Sequence, residues 1–241
     1  MNTAAKLMIT ILLAASSASL AACDGDGGAI IPVDAAPLPI DSSGGCEPAT
    51  ALPTQWRPIA MVSAGTVNVV ESNGVTSGTI DATAGGTAAA ADSPYIYLDL
   101  TNGTKVNVTD TAALSSTAWH IAFKRASIKL NGGDSGPGMV MAASVTAATL
   151  AEVTTVPGGL AKDDWADATC MLLAGPTGEP ASVMSTWYDY DDQTHVLMVK
   201  GEVWVLELEP GVHRKLRITT YYGAPSQPTR GGYYGVEWAA L

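Results

Sequence analysis

The apolar residues of this chain recur at every second position, not every third or fourth. Within residues 95–100, Ile96, Leu98 and Leu100 fall on one side of an extended backbone. Within residues 119–125, Trp119, Ile121 and Phe123 share a face, and His120, Ala122 and Lys124 take the other. Residues 203–208 are β-branched and aromatic, as strands favour. Residues 215–221 alternate cleanly, with Leu216 and Ile218 inward. Turn chemistry separates these runs. Thr101-Asn102-Gly103-Thr104 carries an Asn-Gly hairpin signal, and Glu209-Pro210-Gly211 is a second turn. Residues 131–138 form a longer glycine loop. Strands with hairpin-length gaps predict a single antiparallel all-β domain. Residues 158–173, with Lys162-Asp163-Asp164-Trp165 near their start, are expected to hold a short helix. The Ala/Gly/Thr-rich stretch 64–91 fits weak strands or a loop equally well. No internal repeat is present.

The N-terminus has a different pattern. Lys6 is the one charge in the first 22 residues, and an apolar run from Leu7 to Ala15 follows. Spanning a bilayer takes about 20 apolar residues, so this run is too short. A positive end, a short apolar centre and small residues predict a secretory signal peptide over 1–22. Leu20-Ala21-Ala22-Cys23 resembles the bacterial lipobox, whose cysteine is acylated. Cys23 is therefore the expected lipid anchor, the alternative being ordinary cleavage beside an incidental cysteine. Anchoring of this kind uses more than one acyl chain.

Composition then sets limits. Twenty-three acids against twelve Lys and Arg give a formal charge of −11. Losing Lys6 with the signal makes the mature chain more negative still. Such a chain lacks the basic patches that nucleic acid or anionic lipid would demand. Residues 23–55 are rich in Asp, Gly, Ala, Pro and Ser, and are expected to form a flexible tether that buries too little apolar surface to order itself. Residues 56–241 then suit one domain. With Cys23 acylated, Cys46 and Cys170 remain, and an oxidising compartment favours one disulfide between them over two free thiols.

Two blocks resemble a known family. The first is Trp119-His120-Ile121-Ala122-Phe123-Lys124-Arg125 followed by Ile128-Lys129-Leu130-Asn131-Gly132-Gly133-Asp134-Ser135-Gly136. The second is Val203-Trp204-Val205-Leu206, then Arg214-Lys215-Leu216-Arg217-Ile218-Thr219-Thr220-Tyr221-Tyr222, closing with Gly232-Tyr233-Tyr234 and Glu237-Trp238. Together they resemble the HmuY family of haem-binding bacterial lipoproteins over roughly 95–241. The resemblance implies an all-β fold, extracytoplasmic haem capture, a place at the outer membrane or cell surface, and an outer-membrane haem transporter as partner. Two positions depart from the family pattern. His120 stands where Asp is common, and His213-Arg214 replace tyrosines.

Haem needs a flat apolar surface, axial ligands and donors for two propionates. Met139 and Met141 follow the glycine loop, and Met171 lies some thirty residues later beside Cys170. These three are the candidate ligands, against the commoner role of methionine as core filler. Lys124, Arg125 and Lys129 are the candidate propionate partners, against a plain charged face. His120, His195 and His213 read as ordinary strand or turn residues. Gly133-Asp134-Ser135-Gly136-Pro137 looks like a protease nucleophile loop but lacks a suitably placed histidine base, and Pro137 breaks the Gly-x-Ser-x-Gly elbow. No enzyme is expected. The acids and aromatics of residues 187–192 lack a calcium pattern. The rival to haem capture is a structural or adhesive surface lipoprotein without haem ligation. Replacing Cys23 by Ser is expected to move the protein from the membrane fraction to the soluble extracytoplasmic fraction. A Cys23→Ser variant that still pellets with membranes would remove the lipid anchor.

Overall fold

Period-two patterning does produce strands, and they assemble into two main antiparallel sheets. The computed structural model describes residues 52–84, 89–175, 178–225 and 228–241. The signal peptide, Cys23, Cys46 and nearly all of the expected tether lie outside the described residues. Trp56, at the expected start of the domain, is buried, and so is Leu52 just before it.

The first strands are β1 (Val67–Ser72) and β2 (Val75–Asp81), joined at Asn73-Gly74. Both turn residues have positive φ, 53° and 79°, the conformation that an Asn-Gly hairpin requires. Stretch 64–91 thus contains a hairpin whose signal was present in that dipeptide. Next come β3 (Ile96–Asp99), β4 (Thr104–Val106), a helical turn α1 (Asp110–Ala113), β5 (Ile121–Lys124), β6 (Ser127–Leu130) and β7 (Met141–Val145). After a long irregular stretch follow β8 (Tyr188–Asp191), β9 (Val196–Val199), β10 (Val203–Glu209), β11 (Val212–Thr220) and β12 (Tyr233–Ala240). The large sheet has six strands in the order β1-β2-β12-β11-β10-β7, and the small sheet has four in the order β4-β3-β5-β6. Strands β8 and β9 form a separate hairpin.

The main core lies between the two sheets. Trp204, Leu206, Leu216, Ile218, Val236 and Trp238 of the large sheet face Ile96, Leu98, Ile121, Phe123, Ile128 and Leu130 of the small one. The alternation places them there, since successive strand side chains point to opposite faces. The small sheet is covered on its other face too. Tyr97 and Ala122 pack there with Leu52, Trp56, Trp119, Trp165 and Ala166. A third cluster with Val203, Val205, Leu150 and Val153 covers part of the large sheet's outer face.

Two sequence expectations need correction. Trp119 does not share the face of Ile121 and Phe123. It precedes β5, packs edge-on to Tyr97 at 4.9 Å, and donates its indole N–H to the Ala113 carbonyl at 3.2 Å. The bend before the strand resets the alternation by turning that ring to the outer face. Residues 158–173 form no helix. Asp163 is drawn instead into a parallel bridge with Gly133, and Ala161 into a bridge with Ala142. Tertiary pairing satisfies those backbone groups, so no local helix forms.

Candidate functional site

The β5–β6 hairpin organises the candidate residues, with the glycine loop leading off one end and Arg125 in the turn at the other. At one end Leu130 leads into the glycine loop. Asn131 is buried and holds that loop from inside. Its Nδ2 donates to the carbonyls of Ser116 at 2.9 Å and Trp119 at 2.8 Å, and its Oδ1 accepts from Gly138 N at 3.0 Å. A Cβ on Gly136 would lie 2.4 Å from that Oδ1, and one on Gly138 only 2.4 Å from the Asn131 carbonyl oxygen. These glycines are needed for close approach, and neither lies at positive φ.

Two buried carboxylates clamp the loop to residues 161–175. Asp134 accepts the N–H groups of Trp165 at 2.7 Å and Ala166 at 2.9 Å. Asp163 accepts from Leu130 N at 2.8 Å and Val183 N at 2.9 Å, while its own carbonyl accepts Asp134 N at 2.9 Å. Burial pushes the Asp163 carboxyl up to about 6, against those hydrogen bonds. Ser135, the nucleophile of the protease-like motif, accepts the Trp165 indole N–H at 3.0 Å and is buried. That motif builds the clamp.

The clamp brings the two methionine loops together. Met139 pairs with Gly132 across an isolated bridge and is 53% exposed. Met171 sits in a turn where its N–H donates to Asp167 Oδ1 at 3.0 Å, and it is 64% exposed. Cys170 lies in the same turn at φ 62°. Val140 and Ala142 point into the core, so Met139 and Met141 share the opposite side of the chain. Met141 is half-buried in β7 opposite Glu207. Core filling falls instead to Met184, which is fully buried.

The expected propionate cluster is not a cluster on one face of the site. Lys124 is fully buried, with its Nζ 5.6 Å from the ring centres of both Trp56 and Tyr95 and without a hydrogen-bond partner. Lys129 is half-buried, its Nζ 4.4 Å from Tyr95, 5.1 Å from Tyr97 and 5.4 Å from Trp119. Alternation sends both ammonium groups to the outer face of the small sheet, where aromatic side chains roof them. Their charge is set against buried Asp110, whose carboxylate accepts the Tyr97 hydroxyl at 2.8 Å and Tyr95 N at 3.0 Å. Burial raises the Asp110 carboxyl, and Lys129 and Lys124 draw it back down. The two lysines therefore serve an internal charge network, neither a solvent face nor a propionate pair.

Arg125 occupies the opposite end of the hairpin, in the turn between β5 and β6, at φ 50°. At about 3.3 Å per residue, that turn is on the order of 15–20 Å from Met139 along the strand direction. The turn borders a cleft of about 760 Å³ that also receives Trp56, Tyr190, His195, Tyr221 and Tyr222. His195 was read as an ordinary turn residue. It does lie in the β8–β9 turn and is exposed, but it borders this cleft, and its Nδ1 is 2.9 Å from the Tyr190 hydroxyl. Sequence alone carried no signal for that meeting, since five separate segments of the chain build the cleft. His120 is half-buried, and its Nδ1 accepts Leu100 N at 3.1 Å. His213 pairs with Glu207 at 3.6 Å.

The structure is thus a two-sheet antiparallel scaffold that presents side chains at the two ends of a buried hairpin. The HmuY protein family matches residues 92–233, more than half of the sequence, and the chain belongs to that family. A lipoprotein-like structure from Bacteroides fragilis aligns with TM-score 0.50 at 16% identity, covering 73% of this chain and 94% of the other. A Bacteroides vulgatus structure described as an HmuY-like haem-binding protein aligns with TM-score 0.49 at 18% identity, covering 74% and 97%. The apo HmuY analogue of Tannerella forsythia aligns with TM-score 0.45 at 18% identity, covering 73% and 99%. No curated protein matches this chain. Among the described residues, no helix is long and apolar enough to cross a membrane.

The buried ammonium gives a testable pH dependence. Burial pushes Lys124 from its ordinary 10.5 down to about 8. Between those values the unfolded chain binds more protons than the folded one, so this group makes stability rise with pH. Lys124→Met is expected to stabilise the protein near neutral pH by about 1–3 kcal/mol, since it removes an unpaired buried charge. By about pH 9.5 the wild type should have closed most of that gap, because Lys124 is then largely neutral when folded. Urea unfolding at both pH values checks this, and a gap that does not narrow would contradict it.

Proposed function

We propose that this protein is a lipid-anchored, extracytoplasmic haem-binding protein, with Met139 and Met171 as axial ligands to the iron. The observation that carries the reading is the pair of exposed thioethers on two loops that Asp134 and Asp163 clamp together. A methionine that merely fills a core is buried, as Met184 is. Leu173 adds exposed apolar surface beside Met171, suited to a porphyrin face. Thioether sulfur is a soft donor that suits haem iron and favours its ferrous form.

Family membership supports the cargo, because an HmuY-like relative is described as haem-binding. It also supports a binding role over catalysis. Anchoring through Cys23 rests on the lipobox, and a lipoprotein among the structural neighbours agrees with it. A Cys46–Cys170 disulfide would tie the tether to the Met171 turn. Met141, two residues beyond Met139 at the start of β7, is the reserve ligand. Binding at exposed loops leaves the cargo accessible for transfer to an outer-membrane haem transporter.

Titration of the purified protein with haemin tests this. A sharpened Soret band is expected, with tighter binding under reducing conditions. Met139→Ala and Met171→Ala should each weaken binding about tenfold or more, equivalent to roughly 1.4 kcal/mol. Met184→Leu should leave the spectrum unchanged, because the swap conserves core volume. A spectrum that survives replacement of Met139, Met141 and Met171 together would reject the ligand assignment. No spectral change with the native protein would return the reading to a structural or adhesive surface lipoprotein.

A further inference from the structure

We infer that the cleft at the other end of the β5–β6 hairpin is a second binding site, for a planar aromatic carboxylate. It differs from the proposed haem site in position and in chemistry. Its volume of about 760 Å³ lies within the range of small-molecule pockets. Tyr190, Tyr221, Tyr222 and His195 bring rings to it, and Trp56 borders the facing side. None of its described lining residues is acidic, although the chain carries nearly twice as many acids as bases. Its one permanent cation is Arg125, which forms no ion pair among the described residues. Aromatic walls with a single unpaired guanidinium complement a flat ring bearing one carboxylate.

The backbone of Arg125 is fixed from the interior. The Arg125 N–H donates to the Ala82 carbonyl at 2.8 Å, and the Arg125 carbonyl accepts the buried Tyr234 hydroxyl. The next carbonyl, of Ala126, accepts the Trp187 indole N–H at 3.0 Å. Three interior anchors thus fix a two-residue turn. Arg125 sits at positive φ, where Gly or Asn would be less strained. His195, on the opposing β8–β9 turn, is also at positive φ, 56°. Two turns therefore carry functional side chains at positions that steric preference assigns to others, and both side chains reach one cleft. The β8–β9 wall is tied in turn to the end of β11, since Leu197 N donates to the Tyr222 hydroxyl at 2.9 Å.

Isothermal titration of the purified protein with 1-naphthoate, and in parallel with neutral 1-naphthalenemethanol, tests this site. The acid should bind saturably and at least about tenfold more tightly than the alcohol, and its affinity should fall as salt is added. Arg125→Asn, which suits the left-handed turn, should bring the acid down to the affinity of the alcohol. In the wild-type protein, naphthoate should shift the ring resonances of Tyr221 and Tyr222, a readout that needs no variant. The Met139→Ala, Met171→Ala double variant should keep full naphthoate affinity. Equal binding of acid and alcohol, unmoved tyrosine resonances, or undiminished binding by Arg125→Asn would each overturn the site. Loss of naphthoate binding in the methionine double variant would also overturn it, by placing the ligand on the other loops.

Discussion

The small sheet is buried on both faces, and the rest of the molecule is arranged around that constraint. One face meets the large sheet through Ile121, Phe123, Ile128 and Leu130, and the other is roofed around Tyr97, Ala122 and Trp165. Along β5 and β6 every residue but Lys129 is buried, and Lys129 packs on aromatic rings. A ligand can meet this hairpin only at its ends. One end is the glycine loop with Met139, and the other is the turn with Arg125 and the cleft beside it.

Buried charge is what makes the outer roof specific. Asp163 receives backbone N–H groups from two separate segments, and Asp134 receives two more from a third. Those bonds satisfy backbone groups that would otherwise be buried unpaired, and they offset part of what burial costs the Asp163 carboxylate. Lys129 and Lys124 supply positive charge nearby, held over aromatic faces that solvate a cation weakly. The network positions residues 161–175, which no regular secondary structure would otherwise hold beside the glycine loop. Met139 and Met171 are exposed on the two segments that this charged scaffold ties together.

Much of the fold was legible from residue order. Ile96, Leu98 and Leu100 share the core face as their alternation required, and so do Leu216 and Ile218. The Asn102-Gly103 turn closes β3 onto β4, with Gly103 N donating to the Asp99 carbonyl at 2.9 Å. The candidate site was legible only in part. Methionines flanking a glycine loop can be marked on a sequence, but their exposure depends on neighbours from elsewhere. Lys124 shows the limit most clearly. Its place in the alternation was read correctly, yet that face meets a second apolar layer where solvent was expected.

By itself, the sequence marked the strands within 95–100, 203–208 and 215–221, the turns at Asn102-Gly103 and Pro210-Gly211, and the family that the chain joins. Those depend on local periodicity and turn stereochemistry, which act over a few residues. Tertiary structure alone decided that Trp119 leaves the strand face, that Asp163 joins a bridge and not a helix, and that Arg125 and His195 meet across a cleft. Each of these is settled by contacts between segments far apart in the chain. Their energies arise from burial and desolvation, which no single stretch of sequence encodes.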